Sequence, residues 1–336
     1  MTPVPERRSL GRVVWSAAGV ALAALLAVVL FLANRGSDNG GERAELFRVE
    51  RFAVGGSPQD VAVQGSSVWV TVAEDRTVVR LDPATGEAQG QPQPVGEVPA
   101  GITLGFGSAW IGFGEGATVV RIDQASGTVL NAGIVSGRSP HALAIGDDSV
   151  WVAAIGEGRV ARIDPDQVVN AASDIFRAGG KFPSDIAVGS GRVWVTDVVE
   201  GTVTAIDPDR TRRQRSVKVG ESPVNVAVDD NAVWVANQNF GEGTLSRIDP
   251  KSMKVTQTIP IGGEIAGLAV GEGYVWLTLS EQSRLVRVNP STNEIDGVPI
   301  VVGGTPLGLA VSGGHVWIAD QENGEVIRVE LDAQIE

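Results

Sequence analysis

The sequence predicts an all-β, seven-bladed β-propeller, preceded by a single apolar segment long enough to be a transmembrane helix. Seven tryptophans, Trp69, Trp110, Trp151, Trp194, Trp234, Trp276 and Trp317, recur at gaps of 41, 41, 43, 40, 42 and 41 residues. Each lies among branched or small apolar residues, as in Val68-Trp69-Val70 and Val316-Trp317-Ile318. The repeat units are rich in Val, Thr and Gly, and the chain holds 43 glycines, as many tight turns require. A period in the low forties with β-rich content indicates four-stranded blades rather than helical repeats.

The segment 13–33, VVWSAAGVALAALLAVVLFLA, carries no charge. At about 1.5 Å per residue it matches the ~30 Å hydrocarbon core of a bilayer. Arg7, Arg8 and Arg12 precede it, so the positive-inside bias keeps residues 1–12 cytoplasmic and leaves everything after the segment extracytoplasmic. A cleaved signal peptide, giving a secreted protein, is the alternative, but the apolar run is long for an h-region and no clear small-x-small site closes it. Residues 34–45 are polar and glycine-rich, a flexible linker. The propeller occupies 46–336.

In the first blade Val61-Ala62-Val63 reads as the innermost strand A, Ser67 to Val72 as B, Thr77 to Leu81 as C, and Gln91 to Val95 as a looser outer strand D. The alanine of strand A returns as Ala144, Ala187, Ala227, Ala269 and Ala310, with Thr103 the exception. Blades converge at the axis, where only a small side chain fits; they diverge farther out, where the tryptophan of strand B fills the gap. Strand C ends in Arg80-Leu81-Asp82-Pro83, repeated as Arg162-Ile163-Asp164-Pro165 and Arg247-Ile248-Asp249-Pro250. Taken singly these aspartates look catalytic; as a set they are turn-formers, closing a local side-chain turn while Pro presets the next φ.

The last repeat ends in Val326 to Val329 as strand C, with too little chain beyond for a secure strand D. The segment 47–56 resembles a strand D tail, so the N-terminal strand is expected to complete the last blade and tie the termini together.

Forty acidic against 27 basic residues give a net charge of −13, which excludes a general nucleic-acid binder, because phosphate neutralisation needs a basic face. The absence of cysteine removes disulfides, thiol chemistry and cysteine-ligated zinc.

The D-to-A and B-to-C loops of a propeller gather on one face and commonly carry its contacts. Asp60, Asp185 and Asn225 each stand just before strand A, and Asp197, Asn237, Asp320 and Glu322 fall at the B-to-C loops. Together they define an acidic axial face fit for a basic partner, a glycan, or a divalent cation such as Ca²⁺ or Mg²⁺. Solvated surface loops are the alternative reading. Arg210, Arg212, Arg213 and Arg215 are expected in a C-to-D connection on the opposite, membrane-side face, either touching anionic lipid or simply solvated.

Val233-Trp-Val-Ala-Asn237, the Ile-Asp-Pro turns and the Ser-Pro starts of strand A resemble bacterial YVTN-type and NHL-like propellers, a group that includes the streptogramin B lyases. The likeness covers residues 46 to 330. It implies a seven-bladed propeller and leaves two activities open. One is an extracytoplasmic binding, sensor or scaffold domain. The other is a lyase using His with Glu and a divalent metal, and of the two histidines only His141, with Glu115 or Glu157 from neighbouring loops, is on the acidic face; His315 is expected on the other. No kinase motif accompanies the repeats.

Overall fold

The computed structural model describes residues 29–30, 47–166, 172 and 174–331. Its strands form seven antiparallel sheets, one per repeat. Blade 1 comprises strands A (Pro58–Gln64), B (Ser67–Val72), C (Thr77–Leu81) and D (Gln93–Pro94). Blades 2 to 6 span 99–135, 140–177, 183–218, 223–260 and 265–301. Strand D of blade 1 is shorter than expected. The segment 89–92 does not continue the ladder; instead the Gln89 N–H bonds back to the Arg80 carbonyl.

The A strands ring the axis, each packed against its neighbours, with the seventh returning to the first. B-to-C and D-to-A loops form one end of the ring, the loop face, and A-to-B and C-to-D turns form the other, the turn face. Only two short 3₁₀ turns, Ile155–Glu157 and Asn239–Gly241, interrupt the β structure among the described residues.

All seven repeated tryptophans are at most 2 % exposed. Each is inserted into the core of the following blade. Trp69 packs with Ile102 and Ala109 of blade 2, Trp194 with Val226 and Val233 of blade 5, and Trp317 with Val61 and Val70 of blade 1. Burying such a ring is worth about 2–3 kcal/mol, so the periodic tryptophan is the joint between blades rather than the core of one. The arginine of strand C reinforces that joint. Arg80, Arg121, Arg162 and Arg247 lie over the ring of their own blade's tryptophan at 4.8 to 5.6 Å. Their guanidinium groups donate across to the C-to-D turn of the next blade, at the Gln124, Pro165 and Pro208 carbonyls and at Asn293 Oδ1. Blade 4 has Ala205 at this position.

The turn aspartates do what their repetition implies. Asp82 Oδ1 accepts the Ala84 and Thr85 N–H groups, and Asp249 Oδ1 those of Lys251 and Ser252. These backbone bonds hold both carboxyls below the ordinary carboxylate range.

Closure is as expected. Arg48–Ala53 supplies strand D of blade 7, paired from Arg48↔Glu330 to Ala53↔Glu325 against the C-terminal strand. Glu50 and Arg328 form a buried ion pair across that seam, and Phe52 stacks near Trp317 at 6.1 Å. Gly86, at φ +72°, is required where blade 1 meets this strand, since a Cβ there would lie 1.9 Å from the Phe52 ring.

The arginine run differs from expectation. It is not a C-to-D connection but the outer strand itself, Arg210–Lys218. Asp207 pairs directly with Arg210, so the turn takes only Pro208 and Asp209. The arginines then stand exposed along the rim while Val217 turns inward.

The apolar segment 13–33 lies outside the described residues except for Val29–Leu30, which pairs antiparallel with Val49 and Arg48 at the outer edge of blade 7. No helix among the described residues is long and apolar enough to cross a membrane. The linker 34–45 also lies outside the described residues.

Candidate functional site

At the loop face each A strand slips register against strand B, as between Pro58↔Val72 and Asp60↔Thr71. This bulge turns one residue per blade toward the neighbouring blade at the mouth of the axis: Asp60, Gly101, Ala142, Asp185, Asn225, Gly267 and Gly308. Where the residue is glycine, the next strand is too close for anything larger. A Cβ on Gly101 would sit 2.1 Å from the His141 carbonyl oxygen.

Asp60 and Asp185 fill the gap with a carboxylate that bridges two blades. Asp60 Oδ1 accepts the N–H of Val61 at 2.9 Å and Oδ2 that of Ile102 in blade 2 at 3.0 Å. Asp185 repeats the arrangement with Ile186 and with Val226 of blade 5, both at 2.8 Å. Thr71 and Thr196 support them, each hydroxyl accepting the aspartate's own N–H. Burial pushes the Asp60 carboxyl up to about 6 against the pull of its backbone bonds. Burial likewise pushes Asp185 up to about 7, and the charge of Asp60 adds to the rise. Asn225 holds the same place in blade 5; its side chain bonds Asp185, and its Oδ1 is buried without a hydrogen-bond partner.

Asp197, Asn237 and Asp320 are the last residues of their B strands and are at most 2 % exposed. Their polar atoms close loops rather than face solvent. Asp197 accepts the N–H groups of Phe182, Val199 and Glu200. Asn237 accepts from Gly220 and donates to Ser246 Oγ. Asp320 accepts from Thr305 and lies 3.7 Å from Arg51. Glu322 is exposed, with the Thr305 hydroxyl 3.4 Å from its carboxylate.

His141 follows Pro140 at the start of strand A in blade 3, on the loop face, and His315 begins a B strand at the turn face. The His141 Nδ1 lies 3.3 Å from the Ser139 carbonyl, and burial lowers its pKa below that of a free imidazole. Glu115 is exposed, and Glu157 pairs with Arg159 at 3.5 Å. Among the described residues no carboxylate pairs with His141, and no group of three or more His, Asp or Glu residues is placed to hold a metal ion.

Two features escaped the sequence reading. Thr71 and Thr196 each stand two residues after a repeated tryptophan, in the same blades as Asp60 and Asp185, and that pairing was the available signal. The second is the B-to-C loop of blade 5, Gln238 to Gly243, with six residues where the other blades have four.

No family model matches the sequence, and no curated protein matches it. Solved structures do resemble the fold. Virginiamycin B lyase from Staphylococcus aureus superposes with a TM-score of 0.71 at 18% identity, covering 85% of this chain and 99% of that one. A catalytically inactive histidine-to-alanine variant of that lyase, solved with quinupristin, gives 0.72 at 17% identity over 85% and 99%. BamB from Moraxella catarrhalis gives 0.59 at 14% identity over 85% of each chain. At these identities the likeness is one of architecture, and the chain is a seven-bladed β-propeller of the kind the streptogramin B lyases display.

Proposed function

We propose that the chain is a membrane-anchored, extracytoplasmic binding domain, of sensor or scaffold type, that holds a protein, peptide or glycan on its acidic loop face. One observation carries this reading: the carboxylates of that face fall into two sets. Asp60, Asp185, Asp197 and Asp320 are bonded to backbone within the fold. Glu74, Glu115, Glu157, Glu200, Glu281 and Glu322 form an exposed rim around them. A closed ring presenting exposed acids, with no His, Asp and Glu cluster for metal among the described residues, suits binding better than turnover.

The anchor is supported by the arginines that precede residue 13 and by the uncharged run after them, of which the described residues, Val29–Leu30, lie against blade 7. Residue 48 enters blade 7 at the turn face, where it pairs with Glu330. A tether there leaves the acidic rim pointing away from the bilayer.

The lyase reading draws on the shared architecture alone. It calls for a histidine assisted by a carboxylate, and His141 is instead engaged by backbone carbonyls.

A photo-reactive amino acid installed at Glu157 or Glu281 on the loop face, and at Asp148 or Asp230 on the turn face, tests the proposal in intact cells. Discrete crosslinks from the loop-face positions alone are the expected result. Crosslinks from the turn face alone, or equally from both, would reject it.

A further inference from the structure

Blade 5 breaks the regularity of the loop face. Its six-residue B-to-C loop contains Phe240, which is 89% exposed. Asn239 and Phe240 have φ values of +42° and +55°, and Gly241 follows at +91°. A non-glycine residue in this region is strained, and an exposed phenylalanine returns no burial energy to the monomer. The loop is nonetheless well tied: Asn239 Oδ1 accepts the Glu221 N–H at 2.8 Å, its Nδ2 donates to Thr244 Oγ1 at 2.9 Å, and the Gly241 N–H bonds to Gln238. The aromatic ring is thus held out into solvent.

It does not stand alone. Val199 in the B-to-C loop of blade 4 is 64% exposed, and Phe182 in the D-to-A loop before that blade is 45% exposed. Backbone hydrogen bonds tie together the neighbouring loops that carry the three: Val198 N–H to Phe182, Val219 N–H to Gly201, and Asn239 N–H to Glu221. Among the described residues the other exposed large apolar side chains are more scattered: Leu130, Val135, Val298 and Val301 lie on outer strands and their connections, Phe106 in an A-to-B turn at the turn face, and Val98, barely exposed, in the D-to-A loop before blade 2. Around the three stand Glu200, Glu221 and Glu242, all exposed. Lys181 is the cation beside Phe182, and the Lys218 ammonium is engaged by the Glu200 carbonyl.

We propose that the loops of blades 4 and 5 form the seat of the binding face, and that its occupant is a cationic segment of a partner protein carrying large apolar side chains. The apolar residues pack against Phe182, Val199 and Phe240 while Lys or Arg groups meet the flanking glutamates. Charge complementarity selects this occupant, since both the face and the chain at −13 repel an acidic one. The inference rests on the reading of the loop face as the binding face and narrows it to two blades.

The test is selection of random linear peptides displayed on phage against the full chain in lipid nanodiscs, followed by affinity measurement on Phe240→Asn. Enriched peptides combining Lys or Arg with aromatic or aliphatic residues, and bound about tenfold or more weakly by the variant, are the expected result. The variant should melt at the same temperature or higher, because asparagine tolerates the left-handed conformation better, which separates loss of binding from loss of fold. Enrichment of cationic peptides without apolar residues, bound equally by the variant, would overturn the seat while leaving the acidic face standing. No enrichment, or enrichment of acidic peptides, would overturn the proposal. So would concentration-dependent self-association abolished by Phe240→Asn, which would assign the seat to a second copy of the chain.

Discussion

Asp60 and Asp185 are carboxylates placed where only glycine or alanine fits in four of the other blades, and each uses its extra atoms to hold the next blade's backbone. Their carboxyls lie at about 6 and about 7, raised chiefly by burial. An acid whose folded value exceeds its unfolded one stabilises the fold fully below the unfolded value, about pH 4, and that contribution is lost as pH rises through the folded value. Asp185 faces the Asp60 charge, the Asn225 side chain and the N–H groups of Ile186 and Val226. The melting temperature of the full chain is therefore expected to carry a falling component between about pH 4 and pH 7. Asp185→Asn should flatten its upper half, because an amide has no proton to lose while its oxygen still accepts one of the two N–H bonds. An unchanged slope in the Asp60→Asn, Asp185→Asn double variant would show that the axis does not set it. The turn aspartates Asp82, Asp123 and Asp249 act oppositely: their folded values are lowered, so their contribution is present above the ordinary carboxylate value and is lost as pH falls below it.

Among the elements, Arg48–Ala53 joins the two ends of the chain. Glu50 is 3% exposed and binds Arg328, which also donates to the Pro83 and Ala84 carbonyls of blade 1. One arginine thus links the N-terminal strand, the C-terminal strand and the first blade. Removing one member of a buried pair leaves the other charge uncompensated, at a cost of about 3–5 kcal/mol. Glu50→Ala should lower unfolding stability by that amount in denaturant titration. Glu50→Ala with Arg328→Met should lose clearly less than the sum of the two single changes; strict additivity would mean that the pair does not couple the strands. The outer strand Arg210–Lys218 follows a different rule: cations along an edge discourage pairing with another chain.

At the scale of the whole molecule, seven hydrophobic clusters among the described residues each span two adjacent blades, so that no described blade has a core of its own. Stability then depends on an unbroken ring. A chain beginning at Gly55 lacks the closing strand and leaves Glu325–Glu330 as an exposed edge. It is expected to elute as aggregates in size-exclusion chromatography, whereas a chain beginning at Leu46 should elute as a compact monomer. Equal behaviour of the two would show that the ring holds without its seam.

Blade number, strand order, the role of the tryptophans, the aspartate turns and the closing strand were legible in the residues, because each follows from local alternation repeated at a fixed interval. The candidate site was legible only in outline. Asp60 and Asp185 were visible as polar residues before strand A, yet the N–H groups that engage them belong to Ile102 and Val226, about one repeat away on another blade. Asp197, Asn237 and Asp320 looked like loop residues, but the D-to-A segment packed over each buries it. The two-residue insertion around Phe240 was present in the sequence, while its exposure emerged only once the neighbouring loops had closed. Alternation and turn chemistry are properties of a few consecutive residues and can be read from them. Burial and hydrogen-bond partnership sum over neighbours that only the closed ring assembles, and so the tertiary structure alone decided which carboxylates hold the fold and which side chains remain exposed.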